Sequence, residues 1–420
     1  MNHSRVYSAS VFALSLASLV ENIAGTIPTS YFPNYATSLG AELWFIGSFV
    51  AAFLIANAFL SQPFGSLSDR IGRRILIQAG LVADIFLGTL TGLLQNWQSL
   101  LVVRALNGVA TAAVRPAAEA SLVDQVPEEQ RGEALGFFLT FTMIGWFLGP
   151  IFGGAIQHLS ETVLGLPLSE SYRIPYFVDS LLSVIALLLV TWKVKETRGE
   201  HAAKKTTKQS NSNNFRLEES VSRSIRILYL TRLTSGFSVG FIAPVGVLFL
   251  SFAYGAIPLE IGTILSVSGF VGIIFNLFAG KLSDKWGRKP VIAIGSASSR
   301  LASIALPFTS DLLLTAVVMS FRSLGINVSM PATQALIADL VPADIRGKLF
   351  GRFNAFFDAG MISGALLGPF LFDVFKSQEL LITWLNDLVI KGSGVPFYLS
   401  GVIGLVSLAL LLTFVKEPKK

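Results

Sequence analysis

The stretch GSLSDRIGRR, from Gly65 to Arg74, returns as GKLSDKWGRK from Gly280 to Lys289, 215 residues further along the chain. The same offset carries Asp124, Pro127, Arg131, Gly132 and Gly136 onto Asp339, Pro342, Arg346, Gly347 and Gly351. Agreement at one offset over so long an interval is improbable by chance, so the chain reads as two copies of one unit. Beyond it, PYF at Pro175 matches PFY at Pro396 and VKE at Val194 matches VKE at Val415, both at an offset of 221. Six residues were therefore gained between about Asp373 and Val395, in the last outer loop.

The copies are not soluble domains. The 420 residues are 52% hydrophobic and 14% charged, with a mean hydropathy of +0.63. A soluble surface cannot be made from that composition, which excludes soluble enzymes and nucleic-acid binders. A membrane span needs roughly 20 apolar residues. Apolar runs of that length lie near residues 6 to 32, 42 to 65, 75 to 95, 98 to 123, 133 to 158, 174 to 192, 227 to 252, 259 to 280, 290 to 309, 311 to 338, 348 to 375 and 395 to 415. The first exceeds the apolar core of a secretory signal and carries Glu21 and Pro28, so it is expected to be a retained span. Residues 193–226, containing KVKETRGE and QSNSNN, are polar and basic without apolar periodicity. The expected fold class is an all-α polytopic membrane protein of twelve helices. Residues 1–192 and 227–420 form two pseudo-symmetric six-helix bundles, with 193–226 as their cytoplasmic linker.

Charge placement orients the chain and accounts for its net charge of +6. With the N-terminus inside, Arg70, Arg73, Arg74, Arg131, Lys281, Lys285, Arg288, Lys289, Arg346, Lys348 and the basic linker all face the cytoplasm. Outer loops hold Arg173, Lys376 and Lys391. This positive-inside pattern places both termini in the cytoplasm of a cell (plasma) membrane and requires no nucleic-acid partner. There is no Cys, and the three His form no ligand-spaced group, so neither a metal nor a cofactor is expected. No phosphate-loop pattern suggests ATP hydrolysis.

These features together resemble the major facilitator superfamily: twelve spans in two parallel-related halves, a basic central loop, and a signature after span 2 echoed after span 8. The signature residues here are Gly65, Asp69, Arg70, Gly72 and Arg73, mirrored by Gly280, Asp284, Gly287 and Arg288. The resemblance implies that Asp69 and Arg73 engage an acidic residue at the inner end of span 4, the place of Asp124, with Asp339 its counterpart. A charged cluster joining helix ends acts as a latch, since separating its members biases one conformation. Gly65 and Gly72 are expected to allow a tight turn. Span 5 carries Gly136, Gly145, Gly149, Pro150, Gly153 and Gly154, which resembles the signature of the family's proton-coupled antiporters, drug and tetracycline exporters included. Its partial echo in span 11 is Gly351, Gly360, Gly364 and Gly368. Glycines four apart let helices approach closely, and the proline interrupts the hydrogen-bond ladder so that the span can bend.

Charges inside spans are the candidate pathway. Arg104 opens span 4 in RALNG, which resembles the family's span 4 signature. It costs about 3 kcal/mol or more in hydrocarbon unless it faces a cavity or partner. Arg115 shares its helix face, with Glu119 one turn away. Glu21 and Asn22 are read with a polar stripe of Ser15, Ser18, Gly25 and Thr29 on span 1, and an acid there can load and release a proton. Arg322 and Asp358 are cavity candidates in spans 10 and 11. Asp84, Asp179 and Arg300 are expected to serve interhelical packing. Arg232 and Arg352, near inner helix ends, are expected to snorkel.

The leading expectation is a secondary transporter, not an enzyme, that works by alternating access. It would export drug-like or amphiphilic molecules against protons, as a monomer among lipids. Transport of an organic anion or other metabolite is the alternative, suggested by the surplus of arginines over acids. A non-transporting receptor is the reading from another class, opposed by both latch motifs and the Gly-Pro span.

Overall fold

The computed structural model describes Ser8–Thr197, Glu219–Val341, Ala343–Ile382 and Leu388–Val415. The middle of the expected linker, Pro342, the side chains of Arg346 and Lys348, and the last five residues lie outside these described residues. Among the described residues, 12 helices are long and apolar enough to cross a membrane. In chain order these are α1 (Ala9–Thr26), α2 (Ile46–Ile71), α3 (Arg73–Leu93), α4 (Trp97–Asp124), α5 (Arg131–Thr162), α6 (Ile174–Lys193), α7 (Glu219–Tyr254), α8 (Pro258–Trp286), α9 (Arg288–Ala305), α10 (Leu312–Leu340), α11 (Ala343–Phe375) and α12 (Val395–Phe414). Side-chain oxygens set several starts: Ser8 caps α1, Asn96 caps α4 and Asp311 caps α10, each accepting from an otherwise orphaned backbone N–H.

The stretch between α11 and α12, where residues were gained, contains two strands. Strands β1 (Glu379–Ile382) and β2 (Leu388–Lys391) pair antiparallel, Glu379 opposite Lys391. This hairpin is the one departure from the all-α expectation among the described residues.

Two compact units emerge. The first comprises the described residues up to Gly40, those from Ala52 to Thr197, and Pro258–Thr263; the second comprises Ala41–Ala51, the remaining α7 to α12 segments and the hairpin. In the first, α1 packs on α5 and α6 while α3 packs on α4 and α6; in the second, α7 packs on α11 and α12 while α9 packs on α10 and α12. Each unit thus repeats the other's helix neighbours, as the sequence offsets require. Each also has an apolar core toward one end of its helices. Val11, Leu14, Leu76, Leu122, Phe138 and Val190 are among its members in the first, and Leu228, Val291, Leu336, Phe353 and Leu411 in the second. Arg73 and Asp124 lie at the same helix ends as the first core, while Glu21, Asp84, Arg104 and Asp179 lie further along those helices.

Candidate functional site

The turn between α2 and α3 is made by Gly72, whose φ of +112° few other residues adopt; Gly287 repeats it between α8 and α9 at +91°. Gly65 and Gly280 make no turn. Both sit inside helices with nothing within 4 Å of where a Cβ would stand. Immediately after the turn, Arg73 pairs with Asp69 at 3.2 Å and with Asp124 of α4 at 2.8 Å. Arg288 pairs with Asp284 at 2.6 Å and with Asp339 of α10 at 3.1 Å, and donates to Ser283 at 2.8 Å. Arg70 stands apart: it is exposed and pairs with no carboxylate among the described residues.

Sequence reasoning missed two further ties at these turns. The Glu196 carboxylate accepts from the backbone N–H groups of Arg74 and Ile75 at 3.2 and 3.3 Å, capping α3 from beyond the end of α6. A Cβ on Gly72 would stand 2.8 Å from that carboxyl group. Arg74 also donates to the carbonyl of Thr191, and the repeat-related Lys289 donates to the carbonyl of Leu412 at 2.9 Å. The repeated VKE at Val194 and Val415 was the signal that could have found Glu196.

Glu21 of α1 faces α3 and α6. Ser183 of α6 stands 3.3 Å from Glu21 Oε2 and 3.2 Å from Asp84 Oδ2 of α3, and its one hydroxyl proton serves one of them at a time. The two carboxyl groups also interact with each other directly, and Glu21 feels the charge of Asp179. Asn107 of α4 donates to Asp84 at 3.3 Å. Arg104 interacts electrostatically with Asp84 and Asp179, and lies over the rings of Phe32 and Phe53 at 4.6 and 5.5 Å. Three acids from three helices thus form one cluster, and two of them, Asp84 and Asp179, act on Arg104. Asp84 and Asp179, read from sequence as packing residues, belong to this cluster, and Glu21 forms no ion pair with Arg104.

Asn22 has a separate place. Consecutive helical residues point about 100° apart, and Asn22 lies with Ser18 on the face of α1 turned to α5. There Asn22 donates to the Ser18 carbonyl at 2.7 Å and Ser18 meets Thr142 at 2.7 Å. Glu21 is therefore not on the polar stripe assigned to it. Arg115 pairs with Glu119 at 3.2 Å and is 72% exposed, whereas the Nε atom of Arg104 is buried.

The α1 to α5 contact is built on the glycine series. Gly145, Gly149 and Gly153 lie against the backbone of Leu19, Ile23 and Ile27 with no room for a Cβ. Gly154 lies against Pro258 and Leu259, a segment of the same unit. Gly136 faces open space, and α5 continues through Pro150. In the second unit Gly360, Gly364 and Gly368 of α11 meet Leu233, Phe237 and Phe241 of α7 in the same way.

The two pathway candidates of the second unit have different partners. Asp358 interacts with Arg232, which also lies 4.8 Å over the Phe357 ring, so Arg232 is more than a snorkelling end residue. Arg322 donates to Ser303 of α9 at 3.1 Å, and Arg300 donates to Ser238 of α7 at 2.6 Å. Among the described residues no group of His and acidic side chains could hold a metal ion.

Comparison with known proteins accords with this architecture. The chain is 25% identical over 377 residues to Multidrug resistance protein 2 of Bacillus subtilis, covering 89% of this chain and 87% of that protein. It is 26% identical over 373 residues to Multidrug resistance protein MdtG of Yersinia enterocolitica, covering 86% of each. Among solved structures, a bacterial homolog of the human lysosomal transporter Spinster superposes with a TM-score of 0.77 at 15% identity, over 98% of both chains. A D-xylose-proton symporter does so with a TM-score of 0.77 at 16% identity, over 99% of both. The family description of the Major Facilitator Superfamily matches residues 14–227 and again 228–420, one match to each sequence repeat. The chain is a multi-pass membrane protein and belongs to the Major Facilitator Superfamily.

Proposed function

We propose that this chain is a secondary active transporter that exports drug-like or amphiphilic small molecules in exchange for protons. In this reading residues 1–192 and 227–420 are the moving bodies of alternating access, the linker 193–226 and both termini are cytoplasmic, and the protein works as a monomer in the plasma membrane. The observation that carries proton coupling is the Glu21, Ser183 and Asp84 arrangement. Two ionised carboxylates beside each other in a water-poor interior repel, while a single proton between them removes the repulsion and supplies the hydrogen that Ser183 cannot give to both. Arg104 then balances remaining negative charge on Asp84 and Asp179. The substrate class is supported by the names of the multidrug resistance relatives. The Arg73 and Arg288 ion-pair clusters act as latches whose making and breaking accompanies the change of access.

The test is proton flux in liposomes holding the purified protein and an internal pH dye, challenged with lipophilic cations, neutral amphiphiles and organic anions under an imposed pH gradient. A lipophilic cation or amphiphile that discharges the gradient only when protein is present is the expected result. Glu21→Gln is expected to abolish that discharge while the protein stays folded. Substrate movement without proton flux, or undiminished flux in Glu21→Gln, overturns the reading.

A further inference from the structure

We propose that the interior of the second unit binds a small inorganic anion of chloride's size between Arg300 and Arg322. The proposal stands on the second unit alone and does not depend on drug export or proton coupling.

An arginine cannot shed its charge inside a protein, so two interacting guanidinium groups within one helix bundle require a counter-charge. Arg300 is 9% exposed, and its Nε atom is buried with no hydrogen-bond partner among the described residues. Its Nη1 donates to the Ser238 hydroxyl, which meets Ser400 of α12. Arg322 donates from Nε to Ser303, whose hydroxyl donates a hydrogen bond to the Ser299 carbonyl at 2.9 Å. The two guanidinium groups interact electrostatically with each other, and neither forms an ion pair with a described carboxylate. Hydroxyls can accept these N–H bonds but cannot balance two positive charges.

The repeat shows what has been exchanged. Gly80 of α3 abuts Ala110 and Val114, and Gly295 of α9 abuts Gly325 and Ser329, which fixes the 215-residue register between the α3–α4 and α9–α10 contacts. In that register Asp84 corresponds to Ser299 and Asn107 to Arg322; at the later offset of 221, Asp179 corresponds to Ser400. Two carboxylates have thus become serines, and the amide that donates to one of them has become a guanidinium. The second unit keeps the polar centre but has lost the negative charge that Asp84 and Asp179 supply in the first, and an exogenous anion restores it.

The surroundings select the kind of anion. The Arg300 side chain lies so close to Gly404 that a Cβ has no room there, which favours a monatomic ion over a bulky one. Arg322 is half-buried, so its side chain is not sealed off by protein. The donors are guanidinium N–H and serine O–H groups, which suit a halide.

The test uses the purified full-length protein in detergent, prepared in gluconate and titrated with chloride at constant ionic strength while thermal unfolding is followed. A saturable rise in Tm of about 3 °C at a hundredfold excess over the dissociation constant is expected from mass action, reproduced by bromide and lost in Arg322→Gln. Ser400→Asp places a carboxylate where the first unit has Asp179. That variant is expected to be as stable in gluconate as the wild type is in chloride and to respond no further to chloride, which keeps the test decisive if Arg322→Gln does not fold. No saturable rise with chloride in the wild type, a rise with benzoate but not chloride, or an undiminished chloride response in Ser400→Asp overturns the proposal.

Discussion

The interiors of the two repeats hold opposite charge in corresponding places. In the first, Glu21, Asp84 and Asp179 cluster and the last two act on Arg104; in the second, Arg300 and Arg322 sit among serines. The backbone contacts around these centres match residue for residue. Gly145, Gly149 and Gly153 meet α1 as Gly360, Gly364 and Gly368 meet α7. Close helix contact permits little change because any Cβ at those glycines strikes a neighbouring backbone, whereas a polar side chain between helices can be exchanged if its charge is balanced. Duplication has preserved the packing and released the chemistry.

The sharpest way to break that comparison is at the glycines. Gly149→Leu is expected to prevent folding, because its side chain would have to occupy space held by Thr26 and the Ile23 carbonyl, and Gly364→Leu should do the same against Phe237 and Phe241. Gly136→Ala and Gly351→Ala, both facing open space, should leave expression and the Tm nearly unchanged. Size-exclusion profiles of the four variants separate the cases, and a monodisperse Gly149→Leu protein would refute the packing argument. Next in size, Asp84→Asn should remove gradient-driven transport to the level of protein-free liposomes, as Glu21→Gln does. The double variant should be no worse, because the two groups share one site. Separate partial losses that multiply in the double variant would show two independent acids.

How far the sequence alone carried the description follows from these same residues. Spans are legible because hydrocarbon thickness demands about 20 apolar residues, and the repeat is legible because its motif recurs at one offset. The Arg73 and Arg288 clusters were approachable because their acids lie four residues back, just across the Gly72 or Gly287 turn, or at a motif position at the end of α4 or α10. The partners of Glu21 were not, since Ser183 lies 162 residues away and which helix α1 faces is a tertiary fact. Asp84 and Asp179 looked like packing residues because nothing local marks which face of α3 or α6 meets an acid. Gly65 was misplaced because a glycine before a turn motif reads like part of the turn, while the chain bends only at Gly72. The hairpin of β1 and β2 was visible as a length change without a shape.

Gly72 and Gly65 supply the third prediction. Gly72→Ala should cost about 1–2 kcal/mol, because it combines a left-handed φ with a clash against Glu196. Gly65→Ala should be neutral or slightly stabilising, since it adds a good helix former in open space. Thermal melts of the two variants in one detergent check the ordering, and equal Tm values would contradict it.

The smallest effect concerns the two latches, which the repeat makes alike in residue type but not in burial. Arg73 meets an Asp124 side chain that is 21% exposed, whereas the Asp339 side chain opposite Arg288 is 42% exposed. Water screens the more exposed pair more strongly, so Arg73→Ala should cost about 1 kcal/mol and Arg288→Ala about half of that. Raising the salt concentration should lower the wild-type Tm slightly and narrow the gap between the variants, because screening weakens each pair by a share of its own strength. If Arg288→Ala proves the more costly, burial is not what sets the strength of these ties. The shorter Arg288 to Asp284 contact and the added Ser283 bond would then explain why the second cluster holds better than its exposure predicts.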